Sequence, residues 1–180
     1  FLTFYHDKKN IGELIYKTLL FLLTSQSAFA LQTLHVTLNT DNGSGGQGQP
    51  GDLRYAINQM NSSLNNAPDD YAIVFDNPGT ITLAAILPLI NTSPYPVNIT
   101  IGNSGSTPDV TIDGNVIPNV PGGYPGFFIL NGNVTIQNIQ FQNMKSQGGN
   151  GGDGIAGGGG ALGAGGAIYV PQSFLNGTNP

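Results

Sequence analysis

The chain has 180 residues, including 27 Gly and 12 Pro but no Cys or Trp; only 8% are charged and the formal charge is −5. The lack of cysteine excludes a disulfide scaffold, a thiolate metal site and a Cys nucleophile, and five Lys and Arg exclude the clustered cations that nucleic acid requires. With 39% hydrophobic residues the chain is not a charge-driven disordered tail, and its length allows one domain.

Residues 1–30 read as a secretory signal peptide. Lys8, Lys9 and Lys17 precede the apolar run Leu19–Leu23, and Ala28 and Ala30 offer small residues where a signal peptidase needs them, predicting cleavage after Ala30. The apolar run is much shorter than the ~20 residues that span a bilayer. The start at Phe1 and the turn-like end at Asn179-Pro180 point to a fragment. Without residues 1–30, Arg54 and Lys145 stand against eight Asp, a balance of −6.

Residues 31–70 are expected to hold one strand and a capping helix. Leu34–Leu38 alternates apolar and polar residues, the period of a half-buried strand. Asp52 is placed as the N-cap of a helix over 53–64, where Leu53, Ala56, Ile57, Met60 and Leu64 share one face. Asp52, Leu53, Arg54 and Ile57 are the residues expected to build this cap, with Arg54 packing its stem along the helix or pairing with a nearby Asp.

Residues 71–180 read as short strands between Gly, Asn and Pro turns. The candidates are 71–76, 80–83, 87–90, 97–101, 110–112, 127–130, 134–136, 139–141 and 167–170. The segment Asn98-Ile99-Thr100-Ile101 is echoed at Val110-Thr111-Ile112 and again at Asn133-Val134-Thr135-Ile136. The 24 residues from Val110 to Val134 lie within the range of solenoid repeats, roughly 20–45 residues. The pattern predicts an all-β fold, a parallel β-helix with a short N-terminal capping helix; antiparallel strands of a sandwich are the alternative. Ile99, Ile101, Val110, Ile112, Val134 and Ile136 are expected to point inward. The Asn that follows each echo is expected at a corner, tolerating left-handed backbone and bonding to neighbouring turns. Residues 148–166 carry twelve glycines in nineteen positions and read as a flexible loop; they lack the lysine of a phosphate-binding loop.

The segment Gly51-Asp52-Leu53-Arg54-Tyr55-Ala56-Ile57, the run Val110–Asn115, Gly126–Ile129, Val134–Asn138 and Gly165-Gly166-Ala167-Ile168 resemble the amino-terminal part of right-handed parallel β-helix exoproteins. The chain is most similar to chlamydial-type polymorphic outer membrane proteins and related autotransporter passengers, whose repeats include G-G-A-I. The resemblance implies a right-handed β-helix passenger followed by a C-terminal outer-membrane barrel outside this sequence. It also implies export to a bacterial surface and a role as adhesin or antigen. The partners then expected are the export machinery, that barrel, and a host-cell surface protein or glycan; no nucleic acid is expected.

No catalytic, metal or cofactor residues are assigned. Asp69-Asp70, Asp76, Asp109 and Asp113 read as turn residues rather than as the carboxylate pair of a glycosidase, which needs about 5–9.5 Å across one cleft. His35 is placed at an outward strand position without a partner. The alternative is a secreted polysaccharide lyase or glycoside hydrolase on a β-helix fold, for which missing C-terminal sequence could supply catalytic residues.

Overall fold

The computed structural model describes residues 30–43, 46–64, 69–93, 95, 97–115, 123–146 and 166–170. Within them, β1 (Leu31–Val36) is followed by α1 (Leu53–Leu64), β2 (Asp70–Phe75), β3 (Gly79–Thr82) and β4 (Ile90–Asn91). Then come β5 (Asn98–Ile101), β6 (Val110–Asp113), β7 (Phe127–Asn131), β8 (Asn133–Ile136), β9 (Ile139–Gln142) and β10 (Ile168–Tyr169). The strands make three small sheets, ordered β1-β2-β5-β8, β3-β6-β9 and β4-β7-β10, and every strand pair is parallel.

This architecture, three small parallel sheets with one helix, is an α/β mix. It replaces the expectation of an all-β, right-handed parallel β-helix solenoid. Period-2 alternation dictates which face of a strand is buried, but it leaves open how strands are shared among sheets. Turns rich in Gly and Asn cut the strands to between two and six residues, so each sheet stays small. The three echoes illustrate the point. The segments at 98 and 133 pair in register, Asn98 with Asn133 and Ile101 with Ile136. The segment at 110 lies in a different sheet, between β3 and β9. The 24-residue spacing therefore is not a structural repeat. Residues bonded between neighbouring strands are instead separated by 28 (Asp70 to Asn98), 35 (Asn98 to Asn133) or 29 (Asp113 to Gln142).

Helix α1 forms where its apolar spacing predicts, over Leu53–Leu64, and buries Leu53, Ala56, Ile57, Met60 and Leu64. It packs against β1, β2 and β4. The core continues through Tyr71, Ile73, Phe75, Ile81, Ile99, Ile101, Val110 and Ile112. Burying each such aliphatic side chain is worth about 1.5–3 kcal/mol. Val134 and Ile136 are only half-buried, because β8 is the last strand of its sheet. Strand β1 begins and ends earlier than the 34–38 alternation predicts. The amides of Thr37 and Leu38 both donate to the Gly51 carbonyl, at 2.9 and 3.0 Å, instead of continuing the ladder to β2.

Asparagine handles several strand ends. Asn115 and Asn138 adopt positive φ, 61° and 53°, and so does Asn143 at 53°, a region Asn tolerates better than most residues. Asn138 Nδ2 donates to the carbonyls of Asn103 and Gly105, both at 2.7 Å, and Asn115 Nδ2 donates to Leu83 O at 3.1 Å. Gly102 follows β5 with φ 115°, and a Cβ there would collide with the Gln137 carbonyl. Of the 148–166 loop only Gly166 is among the described residues, and 171–180 lie outside them.

Candidate functional site

The N-terminus of α1 is built around three side chains that water barely reaches. Asp52 is fully buried. Its Oδ1 accepts from the Tyr55 amide at 2.7 Å, and its Oδ2 accepts from the amides of Gln49 at 2.9 Å and Asn42 at 3.3 Å. The Tyr55 bond is the N-cap bond to the third helical residue, which satisfies a backbone donor the helix cannot. One carboxylate thus holds both the helix start and the loop leading into it.

Arg54, two residues beyond the N-cap, is 1% exposed. It lies outside the apolar face of α1, yet it is buried because its charge is matched. Its Nε and Nη2 donate to Asp41 Oδ1 and Oδ2 at 2.8 and 2.7 Å, a bidentate fork. Nη2 also donates to Ala85 O at 2.8 Å, and Nη1 to Ile86 O. Asp41 Oδ2 accepts in addition from the Ala84 amide at 2.8 Å. The pair therefore ties the 41–43 loop and the 84–86 segment to the helix. Of the two roles expected for Arg54, packing its stem along the helix or pairing with a nearby Asp, the structure shows the pair, with Asp41 13 residues away across a Gly-rich stretch of sequence.

On the opposite side of α1, strand β1 forms one wall of a groove of about 250 Å³. Thr33, His35, Gly51, Tyr55 and Gln59 contribute to its lining. Gly51 holds φ 96°, and a Cβ there would come within 2.4 Å of Thr37 Oγ1; the close approach keeps the α1 entry tight against the end of β1. Tyr55 Oη accepts from Gln59 Nε2 at 2.7 Å across one helical turn. A smaller depression of about 100 Å³ adjoins the same pair and is lined by Gln47, Asn58 and Ser62 as well.

His35 stands at the groove with Nδ1 2.7 Å from Asp76 Oδ1. The expectation that His35 has no partner is corrected: β1 and β2 run parallel in register, so residues 41 apart in sequence meet at one end of the pair. An ionised carboxylate only accepts, so Nδ1 carries the proton and Nε2 is left for other contacts.

The remaining carboxylates among the described residues lie at strand ends, each with its own partners. Asp69 accepts from Gln32 Nε2 at 3.1 Å. Asp70 accepts from the backbone and side chain of Asn98, which in turn accepts from Asn133 Nδ2 at 2.6 Å. Asp109 accepts from Asn103 Nδ2 at 3.1 Å. Asp113 accepts from the Asn115 amide, Gln142 Nε2 and Asn143 Nδ2, at 2.9, 2.9 and 3.0 Å. Partial burial pushes the Asp113 carboxyl up, but these three hydrogen bonds outweigh it and hold its pKa below the ordinary value. Burial raises the phenol of Tyr71; a hydrogen bond with Ser63 opposes the shift and the charge of Asp69 adds to it.

Among the residues expected to matter from sequence, Asp52, Leu53, Arg54 and Ile57 come together at the α1 corner. Ala30 is exposed and its carbonyl accepts from the Asp70 amide at 2.9 Å, while Ala28 and the rest of the predicted signal lie outside the described residues. Among the described residues no three His, Cys, Asp or Glu cluster as metal ligands, and no helix is long and apolar enough to cross a membrane. Comparison with family models, curated proteins and solved structures found no match to this chain.

Proposed function

We propose that the chain is the exported, surface-displayed passenger part of an outer-membrane autotransporter-like protein, acting as an adhesin or antigen without turnover of its own. The observation that carries this reading is how its carboxylates are used. Asp41, Asp52, Asp69, Asp70, Asp76, Asp109 and Asp113 each hold a loop, a strand end or a neighbouring side chain. Arg54 is buried and makes four hydrogen bonds to one carboxylate and two carbonyls. A general acid or base needs a side chain free to exchange a proton with substrate, and among the described residues these groups, the exposed Asp76 beside His35 apart, are committed to the scaffold. The outward rows of Thr and Asn on the parallel sheets, such as Thr100 beside Thr135 and Asn98 beside Asn133, suit recognition over an extended polar face. Export is supported by the charged, apolar and small-residue order of residues 1–30, and a cysteine-free chain meets no disulfide trap in an oxidising compartment. The resemblance to passengers of this kind adds the outer-membrane barrel, the export machinery and a host-cell surface ligand as partners.

The test is protease shaving of intact cells carrying the full-length protein, together with polysaccharide turnover assays with and without calcium. Release of peptides from 31–180 and no turnover is the expected result. A segment found only inside the cell overturns display. Saturable cleavage abolished by an Asp substitution within 69–113 replaces the adhesin reading with a polysaccharide lyase or hydrolase.

A further inference from the structure

We propose that the groove between β1 and α1 binds one ring of a neutral glycan, with Tyr55 as its apolar platform and Gln59, Thr33 and His35 as its polar contacts. The proposal deepens the adhesin reading by naming a ligand class and a place for it. Size is the first argument. At about 250 Å³ the groove falls below the roughly 300–1,000 Å³ of pockets for drug-sized ligands and suits a single pyranose ring.

Chemistry is the second. A sugar ring presents an apolar face of C–H groups and a rim of hydroxyls that both donate and accept. Tyr55 is half-buried in the groove wall and offers a rigid aromatic body with a polar tip. Its hydroxyl already accepts from Gln59 Nε2, which leaves the O–H to donate and Gln59 Oε1 to accept. Beyond Tyr55 and Gln59, the 100 Å³ depression with Asn58 and Ser62 can receive the edge of an adjoining sugar.

The His35–Asp76 pair is the third. Both side chains are well exposed, 57% and 42%, and such pairs add little to stability because water screens them. Asp76 instead holds Nδ1 of His35 and leaves Nε2 to hydrogen-bond a sugar hydroxyl, which can both donate and accept. Charge selects the glycan class. The lining residues include no Lys or Arg, and residues 31–180 carry a balance of −6, so acidic sugars are repelled.

The test is saturation-transfer NMR on the full chain with methyl glycosides of glucose, galactose and N-acetylglucosamine, and with N-acetylneuraminic acid as the acidic counterpart. Transfer to the ring protons of at least one neutral glycoside is expected, with affinity reduced about tenfold in both Tyr55→Ala and Gln59→Ala. Gln59 is exposed, so its variant decides the matter if Tyr55→Ala perturbs the helix. The absence of transfer from every neutral glycoside, transfer unchanged in Gln59→Ala, or preference for the acidic sugar overturns the proposal. Glycoside binding by a chain that protease shaving finds inside the cell sinks the display reading and leaves this one standing; display without binding does the reverse.

Discussion

Asp41 and Asp113 each gather several hydrogen bonds beside a turn, but they do so in opposite surroundings. Asp41 and its partner Arg54 are sealed, with side chains 1% and 2% exposed. Asp113 is half-buried at the end of β6 and is bonded to amide groups instead of to a cation. In the first setting a lost partner strands a charge away from water, so the cost is large. In the second, water replaces the lost bond and the cost is small. Two regions built from the same residue type thus differ in what they contribute. The α1 corner is held as a unit, and the strand ends are joined by many individually weak bonds.

The largest effect is expected from breaking the sealed pair. Arg54→Met leaves Asp41 buried without its cation and should cost about 3–5 kcal/mol in urea unfolding. Adding Asp41→Leu to it removes the stranded charge and should recover a substantial part of that loss. A double variant no more stable than the single would show that the pair is not the origin of the cost.

A smaller effect separates the cap from the pair. Asp52→Ala removes the acceptor for the Tyr55, Gln49 and Asn42 amides, and the loss should be about 0.5–2 kcal/mol. Asp52→Asn keeps one acceptor oxygen and should fall in between. Equal stability of Asp52→Ala and the parent in the same urea titration would remove the cap from the account.

The smallest effect lies at the strand end. The folded pKa of Asp113 is lowered, so its contribution is fully present above the unfolded value of about 3.9. That contribution is lost as the pH falls through the lower folded value. Water still reaches and screens this half-buried carboxylate, so the contribution amounts to less than about 1 kcal/mol. Asp113→Asn should therefore lose that small contribution at neutral pH, flatten the acid limb of stability below about pH 4, and converge with the parent at lower pH. A steeper acid limb in the variant would reverse the sign assigned here.

Local signals in the sequence mark local structure well. The spacing of Leu53, Ala56, Ile57, Met60 and Leu64 locates α1 to its ends, and the alternation at 98–101 and 110–112 marks strands with the right residues inward. What the sequence leaves open is set by contacts between distant segments. The echo at 110 reads like those at 98 and 133 but pairs elsewhere, because a three-residue apolar alternation fits any of the three sheets. The Arg54–Asp41 fork and the His35–Asp76 pair depend on how a loop and two parallel strands come together, and neither spacing resembles a motif. The groove is invisible for the same reason: Thr33 and His35 lie on a strand, Tyr55 and Gln59 on a helix, and only their packing makes a site.

Native-state hydrogen exchange on the parent and on Arg54→Met tests the contrast between the two regions most directly. Amides held by the corner are those of Thr37, Leu38, Tyr55 and Ala84; amides between strands include those of Gly102, Gly114 and Gln137. The variant is expected to lose protection at the first group by about a hundredfold or more, a loss on the order of 3 kcal/mol, and by clearly less at the second. Equal loss at both groups, or protection unchanged at Tyr55 and Ala84, would contradict it.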